Sequence, residues 1–122
     1  MVDDWPEVRE LVVRVFSDAG FEVSEACNVQ EARLRIAAAP PDIVVTDYFL
    51  PDQSEEFVPW IKRQRPQTPV IVFSASPDQA AESIPDADIV LGKPISLAEL
   101  VRAVLRFVDL IEAGRLCGGI PN

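Results

Sequence analysis

The chain has 122 residues, with eleven basic and twenty acidic side chains, a net charge of -9 and no histidine. That length suits one domain with one core, and the lack of histidine excludes histidine metal sites, Ser-His-Asp triads and a histidine phosphocarrier role for this chain. The acidity argues against direct nucleic-acid binding and favours cationic or metal partners.

Two cysteines, Cys27 and Cys117, show neither metal-ligand spacing nor a disulfide framework. No apolar run approaches membrane-spanning length and no signal peptide is visible. A reducing cytoplasm, without a membrane partner, is therefore the expected location.

In chain order, Met1-Val2 leads into the acid pair Asp3-Asp4. Val8, Leu11, Val12, Val15 and Phe16 then recur at helical spacing. They predict a first helix capped near Asp4 or Trp5, with Pro6 in its first turn and Gly20 just past its end. Phe21 to Ala26 alternates apolar and polar, which predicts a short strand near the sheet edge. Asn28 with Glu31 reads as an N-cap and its N3 partner, opening a second helix to about Ala38, where Pro40-Pro41 must stop it.

Ile43-Val44-Val45 is a branched run that suits a strand buried on both faces, and Asp47 falls at its C-terminal end. After a turn at Pro51 to Ser54, the residues Phe57, Trp60, Ile61 and Gln64 mark one face of a third helix ending before Pro66. Pro59 lies inside it and should kink or shorten it. Val70 to Phe73 is a second buried strand, with Ser74 at its end. A short helix fits about Asp78 to Ser83 before Pro85, and Ile89 to Leu91 is a last short strand leading into Gly92-Lys93-Pro94. Ser96 then caps a long helix with the apolar face Leu97, Leu100, Val101, Val104, Leu105, Val108 and Ile111. A domain over 1–113 and a tail or linker stub over 114–122 follow from this reading.

Strands that alternate with helices predict an α/β, doubly wound parallel sheet with helices on both faces. In such sheets ligands bind beyond the strand C-termini. Asp3, Asp4, Asp47, Ser74 and Lys93 all fall at that edge. Three carboxylates brought together repel one another unless a cation neutralises them, and Mg²⁺ suits hard oxygen donors best. An ammonium at Lys93 and a hydroxyl at Ser74 would hold anionic oxygens, so the set describes a phosphoryl pocket with Asp47 as nucleophile.

Four segments in this order resemble the receiver domain of two-component response regulators, a flavodoxin-like (CheY-like) fold, across about residues 2 to 108. They are Asp3-Asp4 with Pro6-Glu7-Val8-Arg9; Pro41 to Asp47 with Leu50-Pro51; Thr68 to Ala75; and Gly92-Lys93-Pro94. The resemblance implies that Asp47 is the phosphoacceptor, that Asp3 and Asp4 with the Phe49 carbonyl hold Mg²⁺, that Ser74 reports phosphorylation and that Lys93 binds phosphate. It also implies a cis Lys93-Pro94 bond and a donor that is a histidine kinase or histidine phosphotransfer protein. The downstream target would be another protein, and the chain would signal rather than act as an enzyme; the apolar face of the last helix suits packing on the sheet first and a homodimer second.

The sequence departs from the family in two places. Only Met1 and Val2 stand where receivers have a full first strand, so that strand is truncated and its neighbours are expected to lack a partner. An upstream start is the expected explanation, and a short form rescued by a swapped segment or by the tail is the alternative. Val90 replaces the Tyr or Phe that many receivers carry three residues before the lysine, and the stretch from Ser74 to Lys93 is short. These departures keep open a phosphorylation-independent pseudo-receiver serving as a binding or scaffold module. A Mg²⁺-dependent phosphatase would want an acid two residues after its nucleophile, where this sequence has Phe49.

Overall fold

The structure, a computed structural model, describes residues 1–48 and 54–118. Its elements run α1 (Pro6–Asp18), α2 (Val29–Ala38), β1 (Val44–Asp47), α3 (Ser54–Gln64), β2 (Val70–Ser74), α4 (Pro77–Ser83), β3 (Ile89–Gly92) and α5 (Leu97–Gly118). Among the described residues β1, β2 and β3 form one parallel sheet in that order, with Asp47 opposite Phe73 and Ser74 opposite Gly92.

Successive strand residues point to opposite faces, and that alternation builds two apolar layers. Val44, Val70 and Val72 join Ala32 and Ile36 of α2 and Phe57, Val58 and Ile61 of α3 on one side. Val45, Ile71 and Phe73 join Val12 and Phe16 of α1 and Leu100, Ala103 and Val104 of α5 on the other. Helices therefore cover both faces, as the continuous branched runs of β1 and β2 require.

Local signals in the sequence place the helix ends. Asn28 accepts the Glu31 N–H at 2.8 Å, which satisfies one of the open donors at the start of α2. Gly20 takes a φ of 95° just beyond α1, a left-handed conformation that other residues enter only with strain. Pro59 sits inside α3 and the helix continues past it to Gln64, with Ile61 buried on the far side.

Several expectations are corrected. Phe21 to Ala26 is not a strand: it contributes a single bridge, Val2 to Ala26, while Val2 also bridges Thr46. The three residues Met1 to Asp3 lie between the two segments, where Val2 N–H donates to Val45 O at 2.8 Å and Ala26 N–H to Met1 O at 3.0 Å. That ladder is too short to register as a strand on either side, but it gives the neighbouring segments a partner and leaves Val2 buried. Gln64 and Leu105 are exposed rather than facing the core, whereas Val58 and Ala103 are buried. The apolar seam of α5 is thus narrower than the sequence pattern, which had included Leu105. α5 also runs on through Gly114 to Gly118; one glycine costs a helix about 1 kcal/mol relative to alanine, which does not by itself end it.

At the edge of the sheet away from the strand C-termini, Asp88 ties three elements together. Its Oδ2 accepts from Lys62 Nζ and from Val70 N–H, each at 2.7 Å, and its own N–H donates to Val70 O at 2.9 Å. Lys62 also donates to Thr68 O at 2.8 Å.

Candidate functional site

The parallel sheet ends its strands together, and this brings the polar residues into one place. Asp47 closes β1, Ser74 closes β2, and Lys93 follows the last residue of β3. Their main chains are cross-tied: Asp47 N–H donates to Val2 O at 2.9 Å, Tyr48 N–H to Phe73 O at 2.7 Å and Lys93 N–H to Ser74 O at 2.9 Å. The Lys93-Pro94 peptide is cis.

Asp3, Asp4 and Asp47 each bring a carboxylate oxygen within 4.8 Å of the others. Asp3 and Asp47 are buried and Asp4 is exposed, so the cluster opens to solvent on the Asp4 side. Lys93 Nζ lies 2.8 Å from Asp47 Oδ1. The Ser74 hydroxyl oxygen accepts the Ser76 N–H at 3.0 Å, which leaves its hydrogen available for donation. Of the residues named from sequence, the structure therefore gathers Asp3, Asp4, Asp47 and Lys93 directly and sets Ser74 at the end of the adjacent strand. Phe49, the expected carbonyl ligand, lies outside the described residues.

Asp3 is the most constrained member. Its Oδ1 accepts the Trp5 N–H at 2.9 Å, holding the turn that starts α1, while its Oδ2 is buried with no hydrogen-bond partner. Burial pushes the Asp3 carboxyl above its ordinary value, against the lowering by the Trp5 hydrogen bond; the Asp47 and Asp4 charges push the same way as burial, and Lys93 opposes them. A buried carboxylate oxygen left without a partner, beside two further carboxylates, fits a hard divalent cation.

Sequence reasoning overlooked Arg9 and Glu25. Arg9 was visible only as part of a motif, yet its Nη1 donates to Asp3 O at 2.8 Å and its Nε to Glu25 Oε1 at 2.9 Å. One signal was present, a cation near the start of the helix that follows the acid pair. Its partner could not be read without knowing where residues 24–26 run.

The family model for the response regulator receiver domain matches residues 1–105. The chain belongs to that family. Among curated relatives, the response regulator protein PilR of Pseudomonas aeruginosa is 38% identical over 113 residues, covering 87% of this chain and 25% of that protein. The DNA-binding transcriptional regulator NtrC of Rhizobium meliloti is 34% identical over 112 residues, 87% of this chain and 23% of that protein.

Among solved structures, the response regulator TrrA of Thermotoga maritima, in complex with Mg(2+)-BeF, has a TM-score of 0.79 at 26% identity, covering 87% of this chain and 94% of that one. The receiver has the CheY-like, flavodoxin-like fold that its motifs implied. It spans between 23% and 52% of the length of the first curated relatives it matches. Because those relatives include DNA-binding regulators, the expectation of no nucleic-acid partner draws no support from them. No helix among the described residues of this receiver is long and apolar enough to cross a membrane.

Proposed function

We propose that this receiver accepts a phosphoryl group on Asp47 from the histidine of a partner kinase or phosphotransfer protein, and passes the modified state on by protein contact. The observation that carries the reading is the convergence of three carboxylates within 4.8 Å with Lys93 Nζ 2.8 Å from Asp47. Asp3, Asp4 and Asp47 would hold Mg²⁺, with the Phe49 carbonyl as a further ligand from the family pattern. Bound there, the cation would offset the carboxylate charge and polarise phosphoryl oxygens.

The chain's own residues would do the rest. An oxygen of the Asp47 carboxylate attacks phosphorus, the P–N bond to the donor imidazole breaks, and its electron pair stays on the ring nitrogen, which keeps or takes up a proton. The product is an acyl phosphate on Asp47. Lys93, now paired with the carboxylate, can turn its ammonium to an anionic phosphoryl oxygen. Ser74 has a hydroxyl hydrogen free to donate to another.

On this reading the domain is a cytoplasmic signalling module and not an enzyme acting on a separate substrate. With a net charge of -9 its output is passed to a protein surface. Leu105 and Leu110, about half exposed on α5, offer apolar area for that contact or for a second copy.

A second reading, a receiver fold that works without phosphate, is favoured by one feature. Val90 packs against the apolar layer under α2 and α3 and has no ring to swing between inner and outer positions. Incubation with acetyl phosphate and Mg²⁺, followed by intact mass, separates the two. A phosphate-sized increment that disappears in Asp47→Asn is the expected outcome. No increment from a protein with an intact fold would overturn the phosphoacceptor reading in favour of the scaffold.

A further inference from the structure

Asp3 is held at every polar group except one. Its N–H donates to Ala26 O at 3.1 Å, its carbonyl accepts from Arg9 Nη1 at 2.8 Å, and its Oδ1 accepts the Trp5 N–H at 2.9 Å. Only Oδ2, buried, has no partner. The main chain at Asp3 is therefore fixed from two sides, by residue 26 and by the guanidinium.

Arg9 is itself fixed. Its Nε donates to Glu25 Oε1 at 2.9 Å, and its side chain is only 16% exposed. Glu25 directly precedes Ala26, so the segment that holds the Asp3 N–H also orients the arginine that holds the Asp3 carbonyl. A guanidinium presents its donors in a rigid fork, and two of them are used here on two different segments. Lysine has no equivalent geometry.

We propose that Arg9, oriented by Glu25, is a positioning residue of the cation site: it locks the main chain at Asp3 so that Oδ2 faces the acid cluster. This rests on the reading of Asp3, Asp4 and Asp47 as that site. Charge and geometry make opposite demands of Arg9, which gives the proposal its force. A positive group beside a cation site repels the incoming ion, so charge alone requires that Arg9→Met tighten Mg²⁺ binding and that Arg9→Lys leave it unchanged. Positioning requires that both weaken it.

Mg²⁺ titration of the whole chain measures this through the fluorescence of Trp5, an exposed residue whose main-chain N–H is bonded to Asp3 Oδ1. Trp60 is the other tryptophan, and Trp60→Phe as the background leaves Trp5 as sole reporter. Loss of a ligand's supporting hydrogen bond commonly weakens metal binding by about 10- to 100-fold, so Arg9→Met and Arg9→Lys should each weaken it by about tenfold. Glu25→Gln keeps an acceptor for Nε and should weaken it by a smaller factor.

An arginine with only a structural part would lower the melting temperature and leave the affinity of the folded protein unchanged. Unchanged or tighter binding in a folded Arg9→Met overturns the proposal. Should that variant fail to fold, parental affinity in both Arg9→Lys and Glu25→Gln overturns it equally. A parent chain with no saturable response removes the cation site itself and the proposal with it, whereas a parent that binds beside an Arg9→Met that binds as well removes Arg9's part alone.

Discussion

From β1 to β3 the backbone is paired in continuous parallel register, whereas on the other side of β1 the segments Met1–Asp3 and Ser24–Ala26 are joined through bridges at single residues. The two regions also differ in burial. Val70 to Ser74 is buried at every position, while Phe21 and Val23 are only partly so. The candidate site straddles this divide: Asp47, Ser74 and Lys93 stand on the densely paired half, and Asp3 and Asp4 on the sparse one. The groups that would face phosphate are thus held by a stiff sheet, whereas two of the three acids that would hold the cation lie outside it, where Asp3 is placed by a few named hydrogen bonds. In a sheet so divided, local ties such as Arg9 to Asp3 carry what strand pairing carries elsewhere.

The largest test of that contrast compares two phenylalanines. Phe73 is wholly buried in β2, and Phe73→Ala should cost about 3–5 kcal/mol in urea unfolding. Phe21 packs edge-on against Phe16 with ring centroids 5.5 Å apart in the sparse half. Phe21→Ala should cost about 1–2 kcal/mol, since less area is lost from a site that is already part-solvated. Equal costs would mean that the halves are equally tight.

Asp88→Ala comes next. It strips the side-chain acceptor from Val70 N–H and from Lys62, and should destabilise by about 1–3 kcal/mol, with Asp88→Asn milder because it keeps an acceptor oxygen.

Asp3→Asn should act in the opposite direction. Without metal it removes a charge from a crowded, buried position while keeping an oxygen for the Trp5 N–H. The melting temperature should rise by about 4 °C, or about 1 kcal/mol. In Mg²⁺ the order should reverse, because the variant loses a charged ligand. A metal-free melt at or below the parent's would show that the Asp3 charge is already well compensated.

The smallest effect belongs to Arg35→Ala, which breaks a half-exposed pair with Glu31 at 3.5 Å and should change stability by less than about 0.5 kcal/mol.

Much of this architecture was legible because the physical signals are local. Branched runs announce buried strands, Asn28 with Glu31 announces a helix start, and Gly20 a helix end. Asp47 was readable as a site residue because a parallel sheet sends its strand ends to one edge. The segment Phe21 to Ala26 misled for a reason of the same kind. Alternation reports which side chains face the interior, and does not report whether a neighbouring backbone is long enough to pair with. Leu105 misled because an apolar residue beside a helix seam fits the helical period whether or not the packing reaches it. The Arg9 to Glu25 contact joins residues sixteen positions apart. No periodicity encodes it, since it depends on the path of a segment that is neither helix nor strand.

The bonds at Asp88 have a mechanical consequence. They pin the start of β3 to β2 and, through Lys62, to α3, at the edge of the sheet remote from Asp47. At the other end of the same short strand, Lys93 is tied to Ser74 by one main-chain hydrogen bond and to Asp47 by an ion pair that a phosphoryl group would break. Between these two ends every residue of β3 is paired with β2, so a pull on Lys93 would be resisted by the ladder before it reached Asp88. Asp88 thus works as a rivet at the closed end of the sheet, adding α3 to a β2–β3 pair that is already joined along its length.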